Sequence, residues 1–208
     1  MPGEGLQVGG LTPITTIDYP DNLSAVIFCQ GCPMRCHYCH NRQLQPRLTD
    51  NPMSWKDIID FLTTRIGLLD AVVFSGGEPT LQRSIGKAIE EIKRLGYRVG
   101  LHTAGIYPQR FEQLLSMIDW VGLDIKALAA DYPSLTGITN SGESAWHSAR
   151  LLVASGVAYE IRTTLYPGID NPEYKHRLQG ELMRLGEINH RWQPYRQLPG
   201  NDPTQRLG

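Results

Sequence analysis

Short apolar runs rich in Val, Ile and Phe alternate along this chain with longer amphipathic segments, and that alternation constrains the fold more than any other feature. It specifies repeated strand-helix units assembled around a parallel sheet. The strands are expected at residues 25–29, 71–75, 98–102, 120–125 and 159–165, with a weaker one at 190–195. Helices fall between them. Ser54 with Asp57 three residues on resembles a capping box, and Gly67 closes that helix. Leu81, Ile85, Ile89 and Ile92 recur at spacings of three and four over a charged face, and Gly96 ends the segment. Further helices are expected at 109–117, 145–154 and 174–185.

That makes five or six units in 208 residues. A closed barrel takes eight units and roughly 250 residues. The expected fold class is therefore α/β, an incomplete, laterally open (β/α)6-type partial TIM barrel with parallel strands. A flat doubly wound sheet is the alternative. The length fits one domain spanning 1–208, with its core at about residues 20–195 and a short Pro- and Gly-rich tail from Leu198. Cys29, Ser75, His102, Lys126 and Thr164 all fall at or just beyond strand C-termini, the rim where both architectures bind ligands.

Composition excludes several classes. Hydrophobic residues at 41% and charged residues at 20% are an ordinary globular balance. A net charge of -1 gives no overall cationic field for nucleic acid or an anionic membrane, though a local basic patch is compatible with it. The longest apolar runs are about five residues, far short of a membrane span. The N-terminus Met-Pro-Gly-Glu-Gly lacks the basic start and apolar core of a signal peptide. All four cysteines, Cys29, Cys32, Cys36 and Cys39, lie within eleven residues. A disulfide scaffold spreads its cysteines, so this packing points to a metal centre in a reducing compartment, and the expected location is cytoplasmic.

Spacing sorts the metals. Zinc ribbons separate two Cys-x-x-Cys knuckles by about 15 to 20 residues, far more than occurs here. A thioredoxin-like pair leaves two cysteines unexplained. The bacterial ferredoxin run of Cys-x2-Cys-x2-Cys-x3-Cys is not the spacing present either. Without Cys29 the loop reads Cys32-x3-Cys36-x2-Cys39, with Tyr38 before the last cysteine and a strand directly upstream. This resembles the signature of the radical S-adenosylmethionine (radical SAM) superfamily. Phe74-Ser75-Gly76-Gly77-Glu78-Pro79 resembles that family's second segment.

The resemblance implies one 4Fe-4S cluster held by Cys32, Cys36 and Cys39, with its open iron chelated by S-adenosylmethionine. It assigns Gly76, Gly77 and Glu78 to the methionine end, Tyr38 to adenine, and Ser75 to the cofactor site. Leu11-Thr12-Pro13 through Tyr19-Pro20, together with Gly31-Cys32-Pro33 and Cys39-His40-Asn41, resembles the activating proteins of anaerobic ribonucleoside-triphosphate reductase. Asp124-Ile125-Lys126 looks like the Asp-x-Lys of pyruvate formate-lyase activases that supports the cofactor carboxylate. Thr103, Arg162 and Thr164 match further cofactor positions more loosely.

The implied activity is reductive cleavage of S-adenosylmethionine to a 5'-deoxyadenosyl radical, which generates a glycyl radical on a large partner, anaerobic ribonucleotide reductase. A flavodoxin- or ferredoxin-type protein is the implied electron donor, and no catalytic residue is needed beyond cluster and cofactor. Two alternatives stand: a small-molecule enzyme resembling 7-carboxy-7-deazaguanine synthase, and a non-catalytic iron-sulfur sensor. His102 stands where pyruvate formate-lyase activases carry Asp. Cys29 is extra to the pattern and is expected to be a buried thiol beneath the cluster.

Overall fold

The computed structural model describes residues 5–196, and the tail from Leu198 lies outside the described residues. Seven strands form one sheet: β1 (Val8–Thr15), β2 (Ser24–Cys29), β3 (Ala71–Gly76), β4 (Arg98–Thr103), β5 (Trp120–Asp124), β6 (Ala158–Leu165) and β7 (His190–Pro194). Their order in space is their order in sequence. β1 is antiparallel to β2, and every later pair is parallel.

This order decides between the two expected architectures. A doubly wound sheet reverses direction at a switch point, which puts helices on both faces. No reversal occurs here, and because parallel crossovers are right-handed, each connection passes over the same face. The sheet curls as a barrel does and then stops. Among the described residues neither β1 nor β7 has a strand on its outer side.

Among the described residues six α-helices accompany the strands: α1 (Trp55–Thr63), α2 (Ile85–Arg94), α3 (Pro108–Leu115), α4 (Tyr132–Thr136), α5 (Ser141–Ser155) and α6 (Pro172–Met183). Ser54 caps α1, its Oγ accepting from Asp57 N. α2 starts at Ile85 rather than Leu81, because Pro79–Leu81 forms a separate 3-10 turn and Gln82 is extended. β1 and α4 were not expected from the sequence. Gly9, Gly10 and Pro13 argue against a strand, but an edge strand tolerates them because its outer side needs no donor.

Side chains alternate between the two faces of each strand. Ala25, Ile27 and Cys29 of β2 enter the large core beneath the helices, with Phe74 of β3, Leu101 of β4 and Leu123 of β5. The intervening Val26, Ala71, Val73 and Trp120 join Tyr19 in a second, smaller cluster inside the curl. That cluster plugs the end where the strands begin. Toward their C-terminal ends, the same alternation puts Ser75, His102, Asp124, Arg162 and Thr164 on the inward face.

Candidate active site

The inward face ends in a cavity of about 360 Å³. One wall is the cysteine loop after β2, which has little regular structure and is held by its neighbours instead. Gly31 N donates to Leu44 O at 2.8 Å, Cys32 N to Gln45 O at 3.0 Å and Arg35 N to Thr136 O at 2.8 Å. Gln30 Nε2 donates to the carbonyls of Gln43 and Pro46, and Arg35 Nη1 to that of Cys32.

Cys32, Cys36 and Cys39 line the cavity, and all three thiols are free. They share a small cluster with Met34 and Ala104. Cys29 lies instead in the helix-side core, fully buried, because it follows Ile27 in the strand alternation. Burial there, with the Glu78 carboxylate adding to it, raises the Cys29 pKa. The same two causes push Cys32 up to about 12.

A second wall is the end of β3. Gly76 has φ +104°, and a Cβ there would come within 2.7 Å of Cys29 N; a methyl at Gly77 would overlap the Gly31 carbonyl. The two glycines let β3 close on the cysteine loop, where Gly77 N donates to Cys29 O and Glu78 N to Gly31 O, each at 2.9 Å. Glu78 itself is fully buried and does not line the cavity. Its Oε1 accepts from Thr80 N, Thr80 Oγ1 and Thr103 Oγ1, and its Oε2 from Ala104 N. Those four donors bind the turn after β3 to the end of β4.

The third wall is polar. Asp124 Oδ1 accepts from Arg162 Nε at 3.0 Å and lies 2.9 Å from Nη2, while Lys126 Nζ is 3.5 Å from Oδ2. Gly122 makes room for the guanidinium, since a Cβ there would lie 2.7 Å from Arg162 Cζ. Burial opposes the Asp124 charge, but Arg162 and Lys126 outweigh it and hold the carboxyl below its ordinary value. His102 Nε2 lies 2.8 Å from Asp18 O. A carbonyl only accepts, so the shorter contact puts the proton on Nε2; Arg162 Nη1, itself only a donor, then stands 3.4 Å from that nitrogen as a neighbouring charge, and Nδ1 faces Ser75 Oγ at 3.5 Å. Burial, with Arg162 assisting, pushes His102 down to about 3.

Tyr38 stacks on Tyr166 at 4.8 Å with Lys126 Nζ 5.9 Å from its ring centroid. Its hydroxyl is buried with no partner among the described residues. Every residue singled out from the sequence as a cofactor contact or cluster ligand, apart from Glu78, lines this one cavity: Tyr38, Ser75, Gly76 and Gly77, then Thr103, Asp124, Lys126, Arg162 and Thr164, with the three cysteines. The sequence reading missed Tyr166 and the Asp18 carbonyl. Tyr166 directly follows β6, so its rim position was a usable signal, whereas the Asp18 contact crosses from the turn after β1 to β4 and leaves none.

An iron-sulfur cluster with a chelating cofactor fits these residues. Three free thiols on one braced loop face a common cavity, whose opposite wall carries both charges, and an orphaned hydroxyl waits for a polar partner. The Radical SAM superfamily model matches residues 26–179. The chain belongs to the radical SAM superfamily. Members of this family use a 4Fe-4S cluster and S-adenosylmethionine.

Among radical SAM proteins, a putative glycyl-radical enzyme activating enzyme of Methanocaldococcus jannaschii is 35% identical over 179 residues, 80% of this chain and 71% of that one. The pyruvate formate-lyase 1-activating enzyme of Escherichia coli is 30% identical over 184 residues, 83% of this chain and 73% of that one. These relatives place the chain among glycyl-radical activating enzymes. Solved structures support the fold: Streptococcus suis SuiB bound to S-adenosylmethionine superposes with TM-score 0.65 at 19% identity, over 83% of this chain and 40% of SuiB. The chain thus spans less than half of SuiB. Escherichia coli QueE superposes with TM-score 0.58 at 17% identity, over 97% of this chain and 87% of QueE. Among the described residues no helix is long and apolar enough to cross a membrane.

Proposed function

We propose that this radical SAM enzyme generates a glycyl radical on an anaerobic ribonucleoside-triphosphate reductase, with a flavodoxin- or ferredoxin-type protein as its electron source. The observation that carries the activation chemistry is the laterally open cavity that brings three free thiols opposite the Asp124, Lys126 and Arg162 set. The choice of reductase rests on the likeness of the 11–20 lead-in and the cysteine loop to that activase group. When bound, the cluster and S-adenosylmethionine supply a 5'-deoxyadenosyl radical that takes a hydrogen atom from a backbone glycine.

In this reading Cys32, Cys36 and Cys39 hold iron. Ser75, Gly76 and Gly77 meet the methionine amine, and Glu78 acts at one remove by fixing the turn that presents them. Lys126 offers a compact positive charge to the cofactor carboxylate while Asp124, held by Arg162, limits where that charge can move. Tyr38 and Thr164 border the nucleoside, and Thr103 braces Glu78. An opening at the side of the sheet admits a loop of a large protein.

Pyruvate formate-lyase is the second reading, favoured by the identity to the Escherichia coli activase. The test is anaerobic incubation of reduced holoprotein and S-adenosylmethionine with each purified partner, read by paramagnetic resonance. A glycyl doublet on the reductase alone is expected. A doublet on pyruvate formate-lyase instead overturns the assignment of partner, and a reduced holoprotein that forms 5'-deoxyadenosine but no glycyl doublet on either partner overturns the glycyl-radical reading.

A further inference from the structure

A second cavity, of about 650 Å³, lies on the other side of the cysteine loop. Arg47, Arg83 and Arg110 line it, and no described residue of the lining is a carboxylate; the nearest are Glu78, whose charge reaches Tyr107 on the wall, and Glu90, which borders the adjoining cavity that Arg83 and Arg110 also line. None of the three arginines forms an ion pair with a described residue. Arg47 and Arg83 are exposed. In a chain of net charge -1, three guanidinium groups without a salt bridge to a described residue around one concavity make a local positive field, although Arg110 is itself held by backbone carbonyls and the Tyr107 ring.

The position of this cavity relates it to the first. A Cβ at Gly31 would lie 3.1 Å from Leu81 Cδ2 and 3.5 Å from Arg47 Cα, so the lining of the basic cavity touches the residue that precedes Cys32. Tyr107, also on its wall, packs against the cluster that holds Cys32 and Cys36. One residue of backbone separates the basic cavity from the first thiol. The radical SAM cavity on the far side has to admit the cofactor and the substrate loop, which leaves the near side for the approach of a reductant.

We infer that the Arg47, Arg83 and Arg110 face docks an acidic one-electron donor protein that reduces the cluster. The inference rests on the function proposed above. In the step the donor loses one electron and the cluster gains one, with no atom transferred. A small interface steered by charge suits such a partner, because electron-transfer encounters are weak and brief and their rates depend on charge complementarity.

Arg110 is unsuited to testing this, since its Nη1 holds the carbonyls of Thr80 and Leu81 at 3.0 and 2.6 Å. The test uses the reconstituted holoprotein, the double variant Arg47→Glu/Arg83→Glu and, as a charge-matched control, Arg150→Glu/Arg177→Glu on α5 and α6. Binding of a purified flavodoxin is followed by its flavin fluorescence, and cluster reduction by bleaching in anaerobic stopped flow. At low ionic strength the double variant is expected to bind and accept electrons roughly tenfold less well, with the difference shrinking as salt is added. The control is expected to behave as the parent. Parent-like binding by the double variant, or an equal loss in the control, overturns the inference. So does a matching slowdown with dithionite, which would make the arginines supports of the cluster loop. If the dithionite-reduced parent forms no 5'-deoxyadenosine, the functional reading fails, and the flavodoxin titration still decides the docking face.

Discussion

At the scale of single residues, the sequence and the structure agree on which cysteine is different. Cys29 stands outside the three-cysteine spacing, and the structure buries it in the helix-side core, away from the cavity. Cys29→Ser puts a hydroxyl in that apolar site and is expected to cost about 1–3 kcal/mol of stability. Iron content after reconstitution should be unchanged, whereas Cys36→Ser should lose it; iron loss in Cys29→Ser would show that Cys29 is a ligand. His102 makes a pH prediction. Unfolded histidine titrates near 6.5 and the folded one at about 3. Between those values the unfolded chain binds more protons, so this contribution is fully present above about 6.5 and is lost as pH falls toward 3. By pH 5 the loss is about 2 kcal/mol. His102→Gln should flatten the fall in urea midpoint between neutral pH and pH 5, and an equal fall in both proteins would remove His102 as its cause. The role of Glu78 was legible only in part: its motif was recognisable, but the four donors that occupy its carboxylate come from Thr80, Thr103 and Ala104, two of them on another strand-helix unit.

At the scale of elements, periodicity located all six parallel strands and the main helices, because apolar spacing reports which face is buried. It erred at ends and edges. The Leu81 to Ile92 pattern continued the helical spacing across Pro79–Leu81, where the chain makes a tight turn instead so that Glu78 can reach β4. β1 was missed because its Gly and Pro residues are acceptable only on an edge, and edge status is a property of the sheet. The glycine pair shows what a single element can demand. Gly77→Ala would drive a methyl into the Gly31 carbonyl and separate β3 from the cysteine loop. It should cost about 1–3 kcal/mol and weaken S-adenosylmethionine binding measured by equilibrium dialysis. Gly86→Ala on α2 meets Leu114 at 3.7 Å and Met117 at 4.0 Å, both ordinary contacts, and should instead raise stability by up to about 1 kcal/mol. A Gly77→Ala variant as stable and as tight-binding as the parent would refute the close-approach role.

At the scale of the whole molecule, the sheet is a barrel left open, and its interior needs a floor that a closed barrel makes from stacked layers. Tyr19 and Trp120 supply it, with ring centroids 5.5 Å apart beneath the polar rim. Trp120→Ala should therefore cost about 3–5 kcal/mol, measured by chemical denaturation. A loss under about 1 kcal/mol would mean that the floor bears no load. By itself the sequence determined the class of fold and the chemistry of the cluster loop, because apolar periodicity and cysteine spacing are local and survive without knowledge of neighbours. Only the tertiary structure decided that the strands run in order without reversal, that Asp124, Arg162 and His102 turn in together, and that an arginine face without salt bridges among the described residues lies one residue behind Cys32. Each of those depends on groups brought together from distant units, and no spacing along the chain records such meetings.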